Sequence, residues 1–250
     1  MSILWEQDVG STNYQLRQAG NSLRLYTNGV FHSQYNPGRP VTGSVWDLLF
    51  LPAFLYPPDS IRRVLVLGVG GGAVIQQLRR FIQPDSIVGV ELSATHLYLA
   101  KRFFGVSGDD VELVRADAVD WVNRYRGPVF DIVIDDLFGH VDGETQRSVF
   151  ADRSWVSSLT RCLSSDGMIV CNFASRLELM VSAYMSHSAP RSSFSSAFYL
   201  GTAQNYNAVG AFLKKPATTR QLRDRLKRIP QLDPRRQSSR LNYSIRTLSI

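Results

Sequence analysis

The chain has 250 residues, 44% of them hydrophobic and 20% charged, with a formal net charge of +7. That balance suits one large globular domain with a sizeable core and excludes a disordered chain. Apolar runs such as Val64 to Leu67 and Ile132 to Ile134 have strand length and fall far short of the ~20 residues a membrane span needs, so no membrane partner is expected. Met1 to Gly10 carries Glu6 and Asp8 and no apolar run of signal-peptide length, which points to a cytoplasmic protein. Residues 1 to about 45 read as strands and turns. Ser22 to Tyr26 alternates like a strand, Asn28-Gly29 is a hairpin turn, and Val30 to Tyr35 is the return strand. Ser44 to Leu55 reads as an apolar helix stopped by Pro57-Pro58.

From Arg62 the pattern becomes alternating strands and helices. Strands are expected at Val64 to Leu67, Ile87 to Val90, Val111 to Val114, Phe130 to Ile134, Gly167 to Asn172, Ser195 to Leu200 and Asn207 to Leu213. Helices are expected at Ala73 to Phe81, Ala94 to Phe103, Ala118 to Tyr125, Arg153 to Cys162, Leu177 to His187 and Ala217 to Arg228. Repeated strand–helix units imply an α/β fold, Rossmann-like and doubly wound, around a mostly parallel seven-stranded sheet. The expected organisation is an N-terminal hairpin region and lead-in helix at 1–60, a nucleotide-binding catalytic domain at 61–215, and a basic helix and tail at 216–250. That tail carries Arg220, Arg223, Arg225, Lys227, Arg228, Arg235, Arg236, Arg240 and Arg246. It reads as a solvated helix face followed by a loose end. Tyr243 alone among these arginines builds no stacking platform, so nucleic acid is not the expected partner, although the charge alone permits it. Cys162 and Cys171 read as reduced core residues, and no metal site is expected.

Ligands of doubly wound sheets lie beyond the carboxyl ends of the strands, so the residues just after each strand carry the chemistry. Gly68-Val69-Gly70-Gly71-Gly72-Ala73 follows a strand, opens a helix and fits G-x-G-x-x-A. Glu91 follows about 20 residues later, at the end of the next strand, where a carboxylate can accept both hydroxyls of a ribose. Asp117-Ala118 follows the third strand. Asp117 serves equally as an acceptor for an adenine amino group or as a helix N-cap. Asp135-Asp136 follows the fourth strand, where one of two crowded acids can orient an amine or act as a base. His140 lies nearby. A nicotinamide enzyme would also use the glycine loop and Glu91, but it leaves the later acids without a task.

On these residues the chain resembles the spermidine synthase family, a branch of the class I S-adenosylmethionine methyltransferase fold. The resemblance spans roughly residues 20 to 215. It rests on Leu25 to Ser33, Val64 to Gly72, Val90-Glu91, Ala116 to Ala118, Phe130 to Asp136 and Asn207 to Leu213. It implies that Gly68, Gly70, Gly71 and Gly72 wrap the donor, S-adenosylmethionine or its decarboxylated form. Glu91 would hold the ribose, Asp117 with Ala118 the adenine, and Asp136, with Asp135 beside it, would take the proton of an attacking amine. His32 stands at a glutamine that the family uses in its first hairpin. Tyr35, Trp46, Asp47 and His140 are the candidate acceptor contacts. A homodimer through the N-terminal hairpin is also implied.

The departures from the family pattern lie near the reacting groups. Gly71 replaces an aspartate for the donor's amino group, and Gly139 replaces the second acid of an Asp-x-x-Asp motif. Val45-Trp46 replaces a Tyr-Gln pair. The expectation is therefore transfer of an aminopropyl or methyl group to a nucleophile, most simply a small amine. The alternatives are a methyltransferase with a non-polyamine acceptor and a non-catalytic nucleoside-binding protein that docks an acidic partner through its tail.

Overall fold

Residues 1–141, 144–186, 192–203 and 205–250 are described by the computed structural model, with 140, 141, 144 and 145 described in their backbone alone. Four strands open the chain: β1 (Ser2–Val9), β2 (Thr12–Ala19), β3 (Ser22–Thr27) and β4 (Val30–Tyr35). They form an antiparallel sheet in that order. Asn28 and Gly29 both take positive φ, which makes the β3–β4 turn the two-residue hairpin their sequence predicts. The expected helix over 44–55 is divided. α1 (Val45–Phe50) passes into a 3-10 turn at Leu51–Leu55, because Pro52 has no N–H to continue the α ladder.

The central unit then runs β5 (Arg63–Leu67), α2 (Ala73–Phe81), β6 (Ser86–Glu91), α3 (Ala94–Arg102), β7 (Val111–Arg115), α4 (Ala118–Arg124) and β8 (Phe130–Asp135). A hairpin follows, β9 (Phe138–Val141) and β10 (Glu144–Arg147). Next come α5 (Arg153–Arg161), β11 (Leu163–Phe173), α6 (Arg176–Val181), α7 (Ala183–Ser186), β12 (Ser196–Gly201), β13 (Ala208–Leu213), α8 (Thr219–Leu226) and β14 (Ser244–Leu248). The large sheet has the order β14-β12-β13-β11-β8-β5-β6-β7. The five strands from β11 to β7 are parallel, and β13, β12 and β14 pair antiparallel. Successive residues of β5 face opposite cores, Val64 and Val66 one and Leu65 and Leu67 the other, so the strand is apolar from Val64 onward. Helices α1, α2, α3 and α8 cover the first face, and α4 to α7 the second. None of the described helices is long and apolar enough to cross a membrane.

The C-terminal segment corrects one expectation. It is not a loose end: Ser244–Leu248 adds an eighth strand against β12, with Ala197 opposite Leu248. Its basic helix is built into the fold. Leu222 and Leu226 are fully buried, and a capping box joins Thr218 and Gln221. Arg225 donates to the carbonyls of Phe54 and Leu55, both at 2.8 Å, and so satisfies the exposed end of the 3-10 turn. Part of the basic charge is thus architectural. The expected helix over 177–187 is interrupted at Ser182, between α6 and α7, and His187 lies outside the described residues.

Candidate active site

β5 is the switch point: the chain winds outward to β6 and β7, then returns past β5 to β8 and β11. A cleft of about 260 Å³ opens at the carboxyl ends of these strands. Gly68, at φ +85°, turns the chain after β5. A Cβ there would stand 2.3 Å from the carbonyl oxygen of Asp136, so only glycine lets the two strand ends meet. Glu91, at the end of β6, projects into the same turn. Its Oε2 accepts from the amides of Val69 and Gly70, both at 3.0 Å, and its Oε1 accepts from the Ser93 amide at 2.9 Å.

The His96 ring lies against Glu91, with Nδ1 at 3.7 Å from Oε1. Burial pushes the Glu91 carboxyl up, but His96 and the surrounding amides outweigh it and hold the group below the usual carboxylate range. His96 Nε2 in turn lies 2.8 Å from Thr27 Oγ1, which ties this acid to the N-terminal sheet. Across the cleft, Asp117 caps α4 by accepting from the Asp120 amide at 3.0 Å and also lines the cleft beside Ala118. The N-cap reading of Asp117 is thus the one its hydrogen bond shows.

The other end of the cleft is organised by Asp136. Its Oδ1 accepts from Asn172 Nδ2 at 2.7 Å, and Asn172 Oδ1 accepts from Asn207 Nδ2 at 3.2 Å. Burial, reinforced by the charges of Asp135 and Glu91, raises the Asp136 carboxyl to about 6, against the lowering effects of Asn172 and Arg147. Such an acid is ionised at neutral pH yet close enough to it to exchange a proton.

Asp135 points the opposite way and is fully buried. Arg147, on β10, reaches its Oδ2 at 2.8 Å, and the Trp155 indole N–H donates to the same oxygen at 2.9 Å. Arg147 also approaches Glu178 at 3.4 Å and donates to the Asn172 carbonyl. Burial works to lower the Arg147 guanidinium, but the facing Asp135 carboxylate outweighs it and holds the group above its ordinary value.

Of the sequence candidates, Gly68, Gly70, Glu91, Asp117, Ala118, Asp136, His32 and Trp46 line one cleft. The His32 ring sits 5.1 Å from that of His96, and Trp46 packs edge-on against Phe31 at 5.1 Å. The structure does not bring Asp135, Asp47, Tyr35, Gly71 or Gly72 to the cleft wall. Asp135 is turned into the core by its alternation with Asp136 along the strand end. Asp47 is fully buried and accepts from the Thr42 and Gly43 amides, the Thr42 hydroxyl and Gln77, so it secures the turn before α1. Tyr35 packs against the first core. Gly71 and Gly72 are buried behind the loop, and the His140 side chain and Asp142 lie outside the described residues.

Arg147, Asn172 and His96 escape a motif reading. Asn172 nonetheless ends a predicted strand, the same signal that marks Asp136.

Residues 47–206 match the family model described as the spermine/spermidine synthase domain. The chain belongs to the spermine/spermidine synthase family. The polyamine aminopropyltransferase of Chromobacterium violaceum is 32% identical over 125 residues, which are 48% of this chain and 45% of that protein. The chain's matches span less than half of the curated relatives' length. A probable spermidine synthase from Corynebacterium glutamicum superposes with a TM-score of 0.74 at 16% identity, covering 99% of this chain and 91% of that one. Human methyltransferase-like protein 13, in complex with SAH, gives 0.62 at 20% identity, covering 75% and 91%. The fold is thus shared by spermidine synthases and a methyltransferase-like protein.

Within the spermine/spermidine synthase family this chain's Gly71 has a structural cause. A Cβ at residue 71 would stand 2.8 Å from Ser33 Cβ and 2.9 Å from Phe104 Cζ. β4 and the segment after α3 fill the space a side chain would need, so an aspartate here requires both to move.

Proposed function

We propose that the chain is a spermidine synthase-like transferase that moves an aminopropyl group from decarboxylated S-adenosylmethionine to an amine. The observation that carries this reading is the pairing, across Gly68, of a charged, amide-held Glu91 with an Asp136 whose carboxyl sits at about 6. Glu91 suits two ribose hydroxyls, and Asp117 with Ala118 borders the space a purine would take. What supports a nucleoside here is a cleft that holds Glu91 and Asp117 beside a glycine turn that admits close backbone approach. When bound, the donor supplies a carbon beside a sulfonium, and the electron pair of the broken C–S bond returns to sulfur as a neutral thioether.

The chain's own residues do the rest. Asp136 attracts the acceptor's ammonium, receives a proton from it, and so exposes the nitrogen lone pair that forms the new N–C bond. Asn172 holds the Asp136 carboxylate in place, and Asn207 holds Asn172. The pocket's apolar walls keep water from the reacting pair.

The test is release of methylthioadenosine from the decarboxylated donor in the presence of primary amines. Asp136 is protonated below about 6 and ionised above it. The base is therefore lost as pH falls, and kcat/KM rises with pH through that region to a plateau. Asp136→Asn removes the rising limb and lowers kcat/KM by roughly 10²- to 10⁴-fold. An Asn variant with unchanged rate and profile overturns the assignment of Asp136.

A further inference from the structure

We infer that Thr27 and His96 are positioning residues for the nucleoside: together they brace one oxygen of Glu91 and make the N-terminal sheet part of the donor site. This deepens the nucleoside reading above and rests on it.

The two oxygens of Glu91 are held by different elements. Oε2 takes the Val69 and Gly70 amides of the turn after β5. Oε1 is served by the start of α3, where the Ser93 amide donates at 2.9 Å and His96 Nδ1 stands at 3.7 Å. Ser93 caps that helix by accepting from the His96 amide at 3.2 Å, and Tyr14 packs edge-on against the imidazole at 5.5 Å. The amides are fixed backbone. The imidazole is a side chain with two unlike nitrogens, so its service to Oε1 depends on what holds the ring.

Thr27 holds it. Its hydroxyl, at the end of β3, lies 2.8 Å from His96 Nε2, and both residues are buried. An ionised carboxylate only accepts, so the ring proton beside Glu91 belongs on Nδ1, and Nε2 accepts from the Thr27 hydroxyl. The hydroxyl thus selects both the ring's orientation and the nitrogen that carries the proton, as an outer partner does for a metal-bound histidine. Without it the imidazole can turn a C–H toward Glu91 or move its proton to Nε2. Oε1 then loses the N–H that offsets the burial of the acid.

The sheet is seated on both elements that hold Glu91. β3 meets α3 through Thr27, and β4 lies on the glycine turn, where a Cβ on Gly70 would stand 3.3 Å from the His32 carbonyl oxygen. Glu91 and His96 line the cleft, and Thr27 stands behind them, away from its wall. Removing the Thr27 hydroxyl alone therefore reaches a ligand through the imidazole.

The experiment measures methylthioadenosine binding to the full chain by calorimetry, with kcat and the donor's KM alongside. The proteins are the parent, Thr27→Val, Thr27→Ser, His96→Asn and the Thr27→Val/His96→Asn double variant. Valine suits a strand and deletes only the hydroxyl, so Thr27→Val should fold and bind about fivefold more weakly, the worth of one buried hydrogen bond. Thr27→Ser, which keeps the hydroxyl, should restore the parent's affinity. The double variant should lose about fivefold, where independent sites would lose about 25-fold. The donor's KM should rise with kcat unchanged, whereas a general loosening of the fold would lower kcat and the denaturation midpoint of both Thr27 variants. A Thr27→Val protein that binds as tightly as the parent, a serine variant as weak as the valine one, or multiplied losses in the double variant overturns the inference. A parent that does not bind methylthioadenosine overturns the nucleoside reading itself, so the parent's titration tells the two failures apart.

Discussion

The two ends of the cleft hold their acids in different ways. At the donor end Glu91 is fixed by backbone amides of the glycine turn and by Ser93, groups that any sequence of the same fold presents. At the acceptor end Asp136 and Asp135 are fixed by side chains: Asn172, Arg147 and Trp155. Backbone-held geometry is insensitive to substitution, whereas a side-chain network can be rewired one residue at a time. The comparison separates an acid held by the backbone of a turn from acids held by residues distant in the chain.

The sharpest way to break the comparison is Arg147→Met. It strands the fully buried Asp135 without its cation and should lower stability by about 3–5 kcal/mol, read as a fall in denaturation midpoint. A loss below about 1 kcal/mol would mean that the acceptor end does not depend on this ion pair. Smaller is the effect of Glu91→Ala. Losing charge-assisted bonds of about 1.5–3 kcal/mol should weaken methylthioadenosine about 10- to 100-fold, while amine binding stays within a few-fold. Equal losses for both ligands would erase the distinction between the ends. Smallest is His96→Asn, which loosens Glu91 from Thr27 at a cost of about 1 kcal/mol, or roughly fivefold in nucleoside affinity by calorimetry.

The donor end was legible in the sequence because its features are local. A glycine turn after an apolar strand and an acid at the end of the next are visible as spacing, and the Val69 and Gly70 amides of that turn donate to Glu91. The parallel strands were legible because two-sided burial gives them continuous apolar runs, as in Val64–Leu67 of β5 and Ile132–Ile134 of β8. The acceptor end was not legible, because its contacts join distant residues. Nothing near Asp135 announces that Arg147, twelve residues on, will turn inward across an unforeseen hairpin. Asp47 looked available because an acid in a helix's first turn is commonly exposed; four donors from Thr42, Gly43 and Gln77 bury it instead. β14 was missed because Ser244–Leu248 holds just two apolar residues, Ile245 and Leu248, on either side of Arg246 and Thr247, a weak signal that gains meaning only beside the edge of β12.

The close approach at Gly68 sets a spacing as well as a turn. With 2.3 Å between an imagined methyl and the Asp136 carbonyl, the glycine loop and the strand end that carries Asp136 behave as one mechanical piece. Their separation is gauged by a missing carbon atom, so a displacement of one is transmitted to the other. Alanine at this position would act as a shim, and a shift of about 1 Å in that register is worth some hundredfold in rate.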